Sequence, residues 1–235
     1  MEADNAALEI PEVVIRRLPI YARALAFLEE ENLAVVSSLD LGRRLGVTPA
    51  QIRKDLSHFG EFGKQGTGYN VRSLLNEIRS ILGLDRDWPM VLIGVGKLGR
   101  AIATYEDFDN QGFKLVAAFD VDPHKVGEYI GGLRIQPIDE LAQTIAEKNV
   151  RIAIVAVPGS HGQKTIELLA ACGITAVLNY APIAVRVPNG VRVRHIDPVV
   201  ALQSLTYYLK SSGEAKQEKG QLLKPDDGAG PPAAI

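Results

Sequence analysis

The hydrophobic positions change their spacing partway along the chain, and that change divides it. From Pro11 onward Val14, Leu18, Tyr21, Leu25 and Leu28 recur at three- and four-residue steps. That spacing predicts an amphipathic helix with Pro11 near its first turn. A short helix over 39–45 follows Ser38 and stops at Gly46. Thr48 is then placed to cap a third helix, with Pro49 in its first position and Gln51 completing a capping box. Ile52, Leu56 and Phe59 share one face of it; Arg53, Lys54 and Ser57 face the other way, toward solvent. Residues 60–69, GEFGKQGTGY, hold four glycines around Lys64 and Gln65 and predict a β-hairpin. A fourth helix, capped by Asn70, carries Val71, Leu74, Leu75, Ile78, Ile81 and Leu82 and stops at Gly83.

Beyond residue 88 the apolar residues come in continuous runs instead. Residues 90–93, 113–119, 150–157, 176–179 and 191–196 are of strand length, and 131–135 reads as a short irregular strand. Helical patterns separate them, from about Ile138 to Lys148 and from the 158–160 turn through Leu169. Buried strands alternating with helices predict a parallel sheet with helices on both faces. The fold class is therefore α/β: an N-terminal winged-helix domain over 1–85, then a Rossmann-like doubly wound parallel sheet over 86–197. Residues 198–211 form a further apolar helix, with Val199, Leu202, Leu205, Thr206 and Leu209 as its main stripe. It either meets a partner subunit or packs on its own domain. Residues 212–235 are poor in apolar side chains and read as a disordered tail, and 1–9 as a frayed end.

Composition narrows the classes. A hydrophobic share of 46% and a charged share of 23% are those of a globular protein. The single cysteine, Cys172, excludes an internal disulfide and a cysteine-only zinc site. One thiol and no signal pattern point to the cytoplasm. The longest apolar runs are far too short to span a bilayer. A net charge of −2 does not announce nucleic acid, but its distribution does. Residues 41–72 carry six basic groups (Arg43, Arg44, Arg53, Lys54, Lys64 and Arg72) against Asp55 and Glu61. Helix, tight turn and helix with a basic outer face is the plan that sets a recognition helix into the major groove. Arg53, Lys54, Ser57, His58 and Phe59 on that helix, and Lys64, Gly66, Gly68 and Tyr69 on the wing, are the DNA-binding candidates. A three-helix interaction domain with a merely solvated surface is the alternative.

The second domain opens with a strand running into Gly94, Val95, Gly96, Lys97, Leu98 and Gly99, and then a helix that Ala101, Ile102 and Tyr105 continue. In that context the three glycines serve the tight turn, backbone approach to a pyrophosphate, and close helix–strand packing. Asp120 closes the next strand, about twenty residues beyond Gly99, where a carboxylate accepts from ribose hydroxyls and repels a 2′-phosphate. That favours NAD over NADP; the alternative reading of Asp120 is a turn former. Pro158, Asn179, Tyr180 and Asp197 follow other strands and should converge with them at the carboxyl edge of the sheet. A dehydrogenase would add a substrate pocket and an acid or base near the nicotinamide. None of His58, His124, His161 and His195 has a catalytic neighbour in sequence, no metal-spaced cluster occurs, and no substrate domain is left over. Tyr105 and Asp197 could meet near the nicotinamide but make a poor hydride-transfer site. The dinucleotide is thus expected to be bound and not consumed, and no catalytic or metal residue is assigned. An NAD-dependent oxidoreductase with an accessory domain and a nucleotide-gated protein–protein module stand as the competing readings.

Over residues 10–210 the chain resembles the Rex family of redox-sensing transcriptional repressors. The resemblance rests on QIRKDLS at 51–57 running on to Phe59 and Gly60, and on GTGY at 66–69. It also rests on the 94–99 loop, FDVDP at 119–123 and LNYAP at 178–182. It implies a homodimer whose C-terminal helix is swapped onto the partner subunit. It implies binding to palindromic operator DNA compatible with NAD+, and release when NADH is bound. By the same resemblance Tyr105 and Asp197 sit beside the nicotinamide, and Arg23 engages an equivalent of Asp197 in the DNA-bound form. Pro198 departs from the family, which often has an aromatic there, and His58 stands where an aromatic is also common.

Overall fold

The computed structural model describes residues 10–63 and 67–221, with side chains through residue 210. Lys64 and Gly66, the 1–9 end and the chain after 221 lie outside the described residues. Two compact units divide the chain. One holds the residues up to Asp87 together with Asp107–Phe113; the other holds Trp88–Glu106 and the chain from Lys114 on.

In the first unit α1 (Glu12–Glu30) buries Val14, Leu18, Tyr21, Leu25 and Leu28. After β1 (Val35–Val36), α2 (Ser38–Leu45) is capped by Ser37, whose hydroxyl accepts from the Asp40 N–H at 3.0 Å. Gly46 ends it with φ +67°, a left-handed turn that favours glycine. Thr48 caps α3 (Pro49–Ser57), accepting from the Gln51 N–H at 3.2 Å. Only half of the predicted capping box forms, because the Gln51 side chain turns inward to Asp55. After β2 (Tyr69–Asn70), α4 (Val71–Ile81) packs along α1 through Leu74, Leu75 and Ile78.

The turn of the hairpin expected over 60–69 falls at 64–66, outside the described residues. Among the described residues the one strand at that stretch is β2, and it pairs antiparallel with β1, Val35 opposite Asn70 and Val36 opposite Tyr69. Gly68, at φ +81°, explains the pairing. A Cβ there would come within 2.7 Å of the Val36 carbonyl oxygen, so only glycine lets the two strands approach.

In the second unit β3 (Trp88–Ile93) runs through the glycine loop into α5 (Lys97–Ala103). The chain then runs through α6 (Asp107–Asn110), which belongs to the first unit, and returns with β4 (Phe113–Asp120), β5 (Tyr129–Ile130) and β6 (Leu133–Pro137). A 3-10 turn at Ile138–Glu140 leads into α7 (Leu141–Glu147). β7 (Ile152–Val155), α8 (Gly159–Ala171), β8 (Ala176–Asn179), β9 (Arg192–His195) and α9 (Pro198–Gln221) complete it. The sheet order is β5-β6-β4-β3-β7-β8-β9. From β6 to β9 this is the doubly wound order, with its switch point between β3 and β7. Its core joins Val91, Ile93, Phe119, Ala153, Val155 and Val177 of the strands to Leu141, Ile145, Ile166 and Leu169 of the helices.

Three expectations change here. The sheet is not wholly parallel: β5 is an antiparallel edge strand on β6, and the stretch 131–135 is half turn and half strand. Gly131 and Gly132, at φ +54° and +79°, make the two-residue hairpin turn that needs positive φ at both positions. α5 stops at Ala103, so Tyr105 lies past its end. Thr104 ends the helix with its hydroxyl turned back to the carbonyls of Arg100 and Ala101. Finally, α9 continues beyond residue 211 to Gln221, through a run of strong helix formers, Glu214, Ala215, Lys216, Gln217, Glu218 and Lys219. From Pro198 to Lys210 every α9 side chain is exposed, including Leu202, Leu205, Tyr207, Tyr208 and Leu209. The apolar stripe of α9 is not buried against its own domain in this structure.

Candidate functional site

The recognition helix is presented from below. Ile52 and Leu56 sink into the first core, and Arg53, Lys54, Ser57 and His58 stand exposed on the opposite side of α3. Arg53 is oriented in advance, its Nη1 donating to the Ser38 hydroxyl at 2.9 Å. Two candidates are placed otherwise. Tyr69 is buried in the core as part of β2, and Phe59 packs half-buried against the same cluster. Both lie within or against the core of the first unit.

Asp55, one residue from Lys54, escaped the reading of the sequence except as a unit of negative charge. It is fully buried. Arg17 grips it with a fork, Nε to Oδ2 at 2.5 Å and Nη2 to Oδ1 at 2.8 Å. The Tyr21 hydroxyl donates to Oδ2 at 2.6 Å and the Gln51 amide to Oδ1 at 2.7 Å. Burial alone would raise the Asp55 carboxyl, but the donors from Arg17, Tyr21 and Gln51 outweigh it and hold it below the usual carboxylate range. Burial, and then the bond to Asp55, push the Tyr21 phenol well above its ordinary value.

In the second unit the strand ends are in register along one edge. The amide of Gly94 donates to the Phe119 carbonyl, that of Ala156 to Ile93, that of Tyr180 to Val155, and that of Ile196 to Asn179. The structure thus brings the glycine loop, Asp120, Tyr180 and the residues leading to Asp197 to the carboxyl edge of one sheet. Pro158 joins them as the cap position of α8. Gly94 turns at φ +92°, and a Cβ on it would meet the Ala156 carbonyl oxygen at 2.7 Å. A Cβ on Gly99 would lie 2.0 Å from the Gly94 carbonyl oxygen, so the helix–strand approach admits no side chain. At Gly96 nothing lies within 4 Å of where a Cβ would be, which leaves the backbone open to a ligand. Lys97 and Leu98 are exposed beside it.

Asp120 is 7% exposed and held by its own chain. Val95 N–H donates to Oδ2 at 2.8 Å, Asp122 N–H to Oδ1 at 2.9 Å, and Lys125 Nζ to Oδ2 at 3.1 Å. Desolvation raises this carboxyl, but the amides of Asp122 and Val95 and the Lys125 ammonium lower it further, so it stays ionised. Oδ1, with one donor against the two on Oδ2, keeps a lone-pair direction for a further donor.

Two cofactor candidates are held inside the fold. Val95 is buried and its N–H belongs to Asp120. Asn179 is buried too; its Oδ1 accepts from the Ala181 N–H, and its amide donates to the Ala181 carbonyl and meets His195 Nδ1 at 3.0 Å. Asn179 shapes the 179–181 turn. Tyr105 is exposed beyond α5, and Asp197 caps α9, accepting from the Val199 N–H at 2.9 Å. Arg23 is exposed on α1. Lys125 and His195 had gone unassigned; the five-residue step from Asp120 to Lys125 was the one visible signal of the first. Cys172 is half-buried at the end of α8, and burial pushes its thiol up. Among the described residues there is no metal-holding group of His, Cys, Asp or Glu, and no helix long and apolar enough to cross a membrane.

Residues 9–57 match a family model described as "Putative DNA-binding protein N-terminus", and residues 85–183 match one described as a CoA binding domain. The redox-sensing transcriptional repressor Rex of Chloroflexus aggregans is 55% identical over 85% of this chain and 94% of that protein. The Rex of Desulforamulus reducens is 44% identical over 86% and 97%. The crystal structure of RSP in complex with β-NAD+ and operator DNA is 37% identical, with a TM-score of 0.83 over 90% of this chain and 97% of that one. RSP with β-NADH gives 35% identity and a TM-score of 0.80 over 89% and 98%.

Proposed function

The chain belongs to the Rex family of redox-sensing transcriptional repressors, and on that footing we propose how its residues carry out repression. It is a repressor of DNA transcription and not an enzyme, as its relatives are; the oxidoreductase reading and the protein–protein module are set aside. NADH and NAD+ are the sensed ligands and operator DNA is the target; the proposed working form is a homodimer. A palindromic operator suits such a dimer, each recognition helix taking one half-site. The cytoplasm, which holds both the DNA and the dinucleotide pool, is where it acts.

One observation carries this reading: a single chain joins an exposed basic recognition helix to a glycine cradle with an open backbone at Gly96 and a buried carboxylate at Asp120. Arg53 and Lys54 meet phosphate or base edges, with Ser57 and His58 beside them and Lys64, Gly66 and Gly68 extending the contact from the wing. Gly94, Gly96 and Gly99, with Lys97 and Leu98, receive the pyrophosphate. Asp120 takes the adenosine ribose hydroxyls, while Val95 and Asn179 fix the loop and turn that frame the site. The exposed apolar face of α9 supports its transfer onto the partner subunit. Reduction removes one positive charge from the nicotinamide ring. Tyr105 and Asp197, with Pro158 and Tyr180 close by, sense that change, and Arg23 receives the Asp197 carboxylate in the DNA-bound form.

A ligand drives such a switch only through unequal affinity for the two conformations. The test is a titration of NADH against the protein bound to duplex at fixed salt, with NAD+ as the parallel arm. NADH is expected to release the DNA at concentrations where NAD+ leaves it bound. Equal operator affinity in the two arms would end the sensor reading.

A further inference from the structure

Resting on this assignment of α3 as the DNA reader, we infer that Asp55 is a positioning residue for operator discrimination. Arg17 and Tyr21 of α1, through Asp55, fix how α3 is turned toward the groove.

Apolar packing through Ile52 and Leu56 keeps α3 on the core, but such contacts are non-directional and tolerate a slide or a small rotation. The Asp55 contacts do not. A guanidinium–carboxylate fork has one plane and one approach, and here it is closed from two further sides by the Tyr21 hydroxyl and the Gln51 amide. The carboxylate is fully buried, and both partners on α1 are one turn apart, so the helix behind α3 acts as a rigid gauge. Arg53 and Lys54 directly precede Asp55, and Ser57 follows it by two residues. A rotation of α3 that the clamp forbids would swing all three relative to base edges. Phosphate contact depends on charge within a few ångströms, whereas base reading depends on hydrogen-bond geometry. Loss of the clamp should therefore cost discrimination first and general DNA affinity little.

The experiment uses the full-length protein and a palindromic duplex selected by the wild type from a randomised pool. Affinity for that duplex and for a scrambled duplex of equal length and composition is measured across a salt series. The variants are Tyr21→Phe, which removes one hydroxyl and keeps the ring in the core, and Asp55→Asn, which removes the charge. A third pairs Arg17→Met with Asp55→Leu, replacing the clamp by apolar packing of similar volume. The ratio of specific to scrambled affinity is expected to fall about tenfold in Tyr21→Phe, the loss of one charge-assisted bond, and further in Asp55→Asn. The salt slope and NADH binding should stay at wild-type values. The apolar pair should regain the wild-type melting temperature and still lack discrimination, which a purely structural clamp would restore. The inference is overturned if Tyr21→Phe, folded and binding NADH, keeps the wild-type ratio, or if both duplexes weaken together. Failure of the wild type itself to select a duplex or to leave it with NADH would count against the repressor reading instead.

Discussion

Each unit of this protein is built around an ionised, buried aspartate, and the two are held in different ways. Asp55 is closed in by side chains that reach it from a helix distant in sequence and from its own helix: Arg17, Tyr21 and Gln51. Nothing remains for a ligand, so its consequence is geometric. Asp120 is held mainly by backbone amides of Val95 and Asp122, with Lys125 alongside, and it lies at the open carboxyl edge of the sheet. Backbone donors hold a carboxylate in place without surrounding it, so Asp120 can serve the glycine loop and a ribose together. The same chemical group is thus enclosed by its partners in one domain and only supported by them in the other, as the proposed roles of fastener and ribose receptor require.

The contrast can be broken most sharply by truncation. Asp55→Ala leaves the Arg17 guanidinium and the Tyr21 hydroxyl without their partner. Removing one member of a buried ion pair costs about 3–5 kcal/mol, and the 21% exposure of the Arg17 side chain places this site toward the lower figure. Chemical denaturation should show the first unit weakened while NADH binding by the second is retained. Asp120→Ala should do the reverse. Loss of charge-assisted bonds of about 1.5–3 kcal/mol weakens NADH binding about tenfold to a hundredfold, read by NADH fluorescence, with scrambled-duplex affinity unchanged.

The smallest effect is in acid. Both carboxyls are held below their ordinary range in the folded state, so each adds stability that is fully present above the unfolded value, near pH 4. That stability is lost as pH falls through the lowered folded values. Melting temperature followed from pH 5 to pH 2 should fall, and Asp55→Asn should flatten the part of that fall that belongs to the first unit. An unchanged acid limb in this variant would mean that Asp55 contributes no charge-dependent stability.

Much of this was legible in the chain. The helical steps from Val14 to Leu28 and the Thr48-Pro49 start of α3 state their structure locally, as does the strand–glycine–helix order at 90–100. What local pattern could not show is pairing at a distance. Arg17 and Asp55 are 38 positions apart, and nothing around either names the other. β1 and β2 are two residues each, too short for alternation to register, and they meet because Gly68 permits it. Asn179 and Tyr69 were read by residue type alone; that Asn179 bonds to the Ala181 backbone and that Tyr69 lies in the core is not visible locally. The 214–219 run was read by its low apolar content, although helix propensity argued for continuation.

The cap on α9 has a quantitative consequence. Asp197 accepts from the amide of Val199, and a capping carboxylate of this kind steadies a helix by about 1 kcal/mol. Any cation that draws the carboxylate away works against that restoring force, as against a light spring. An energy of this size is about fivefold in an equilibrium. The first turn of α9 would then act as a trim on the switch's set-point. The sequence of that turn, starting at Pro198, could shift the NADH-to-NAD+ ratio at which the operator is vacated, while the affinity of the glycine cradle for the dinucleotide stays the same.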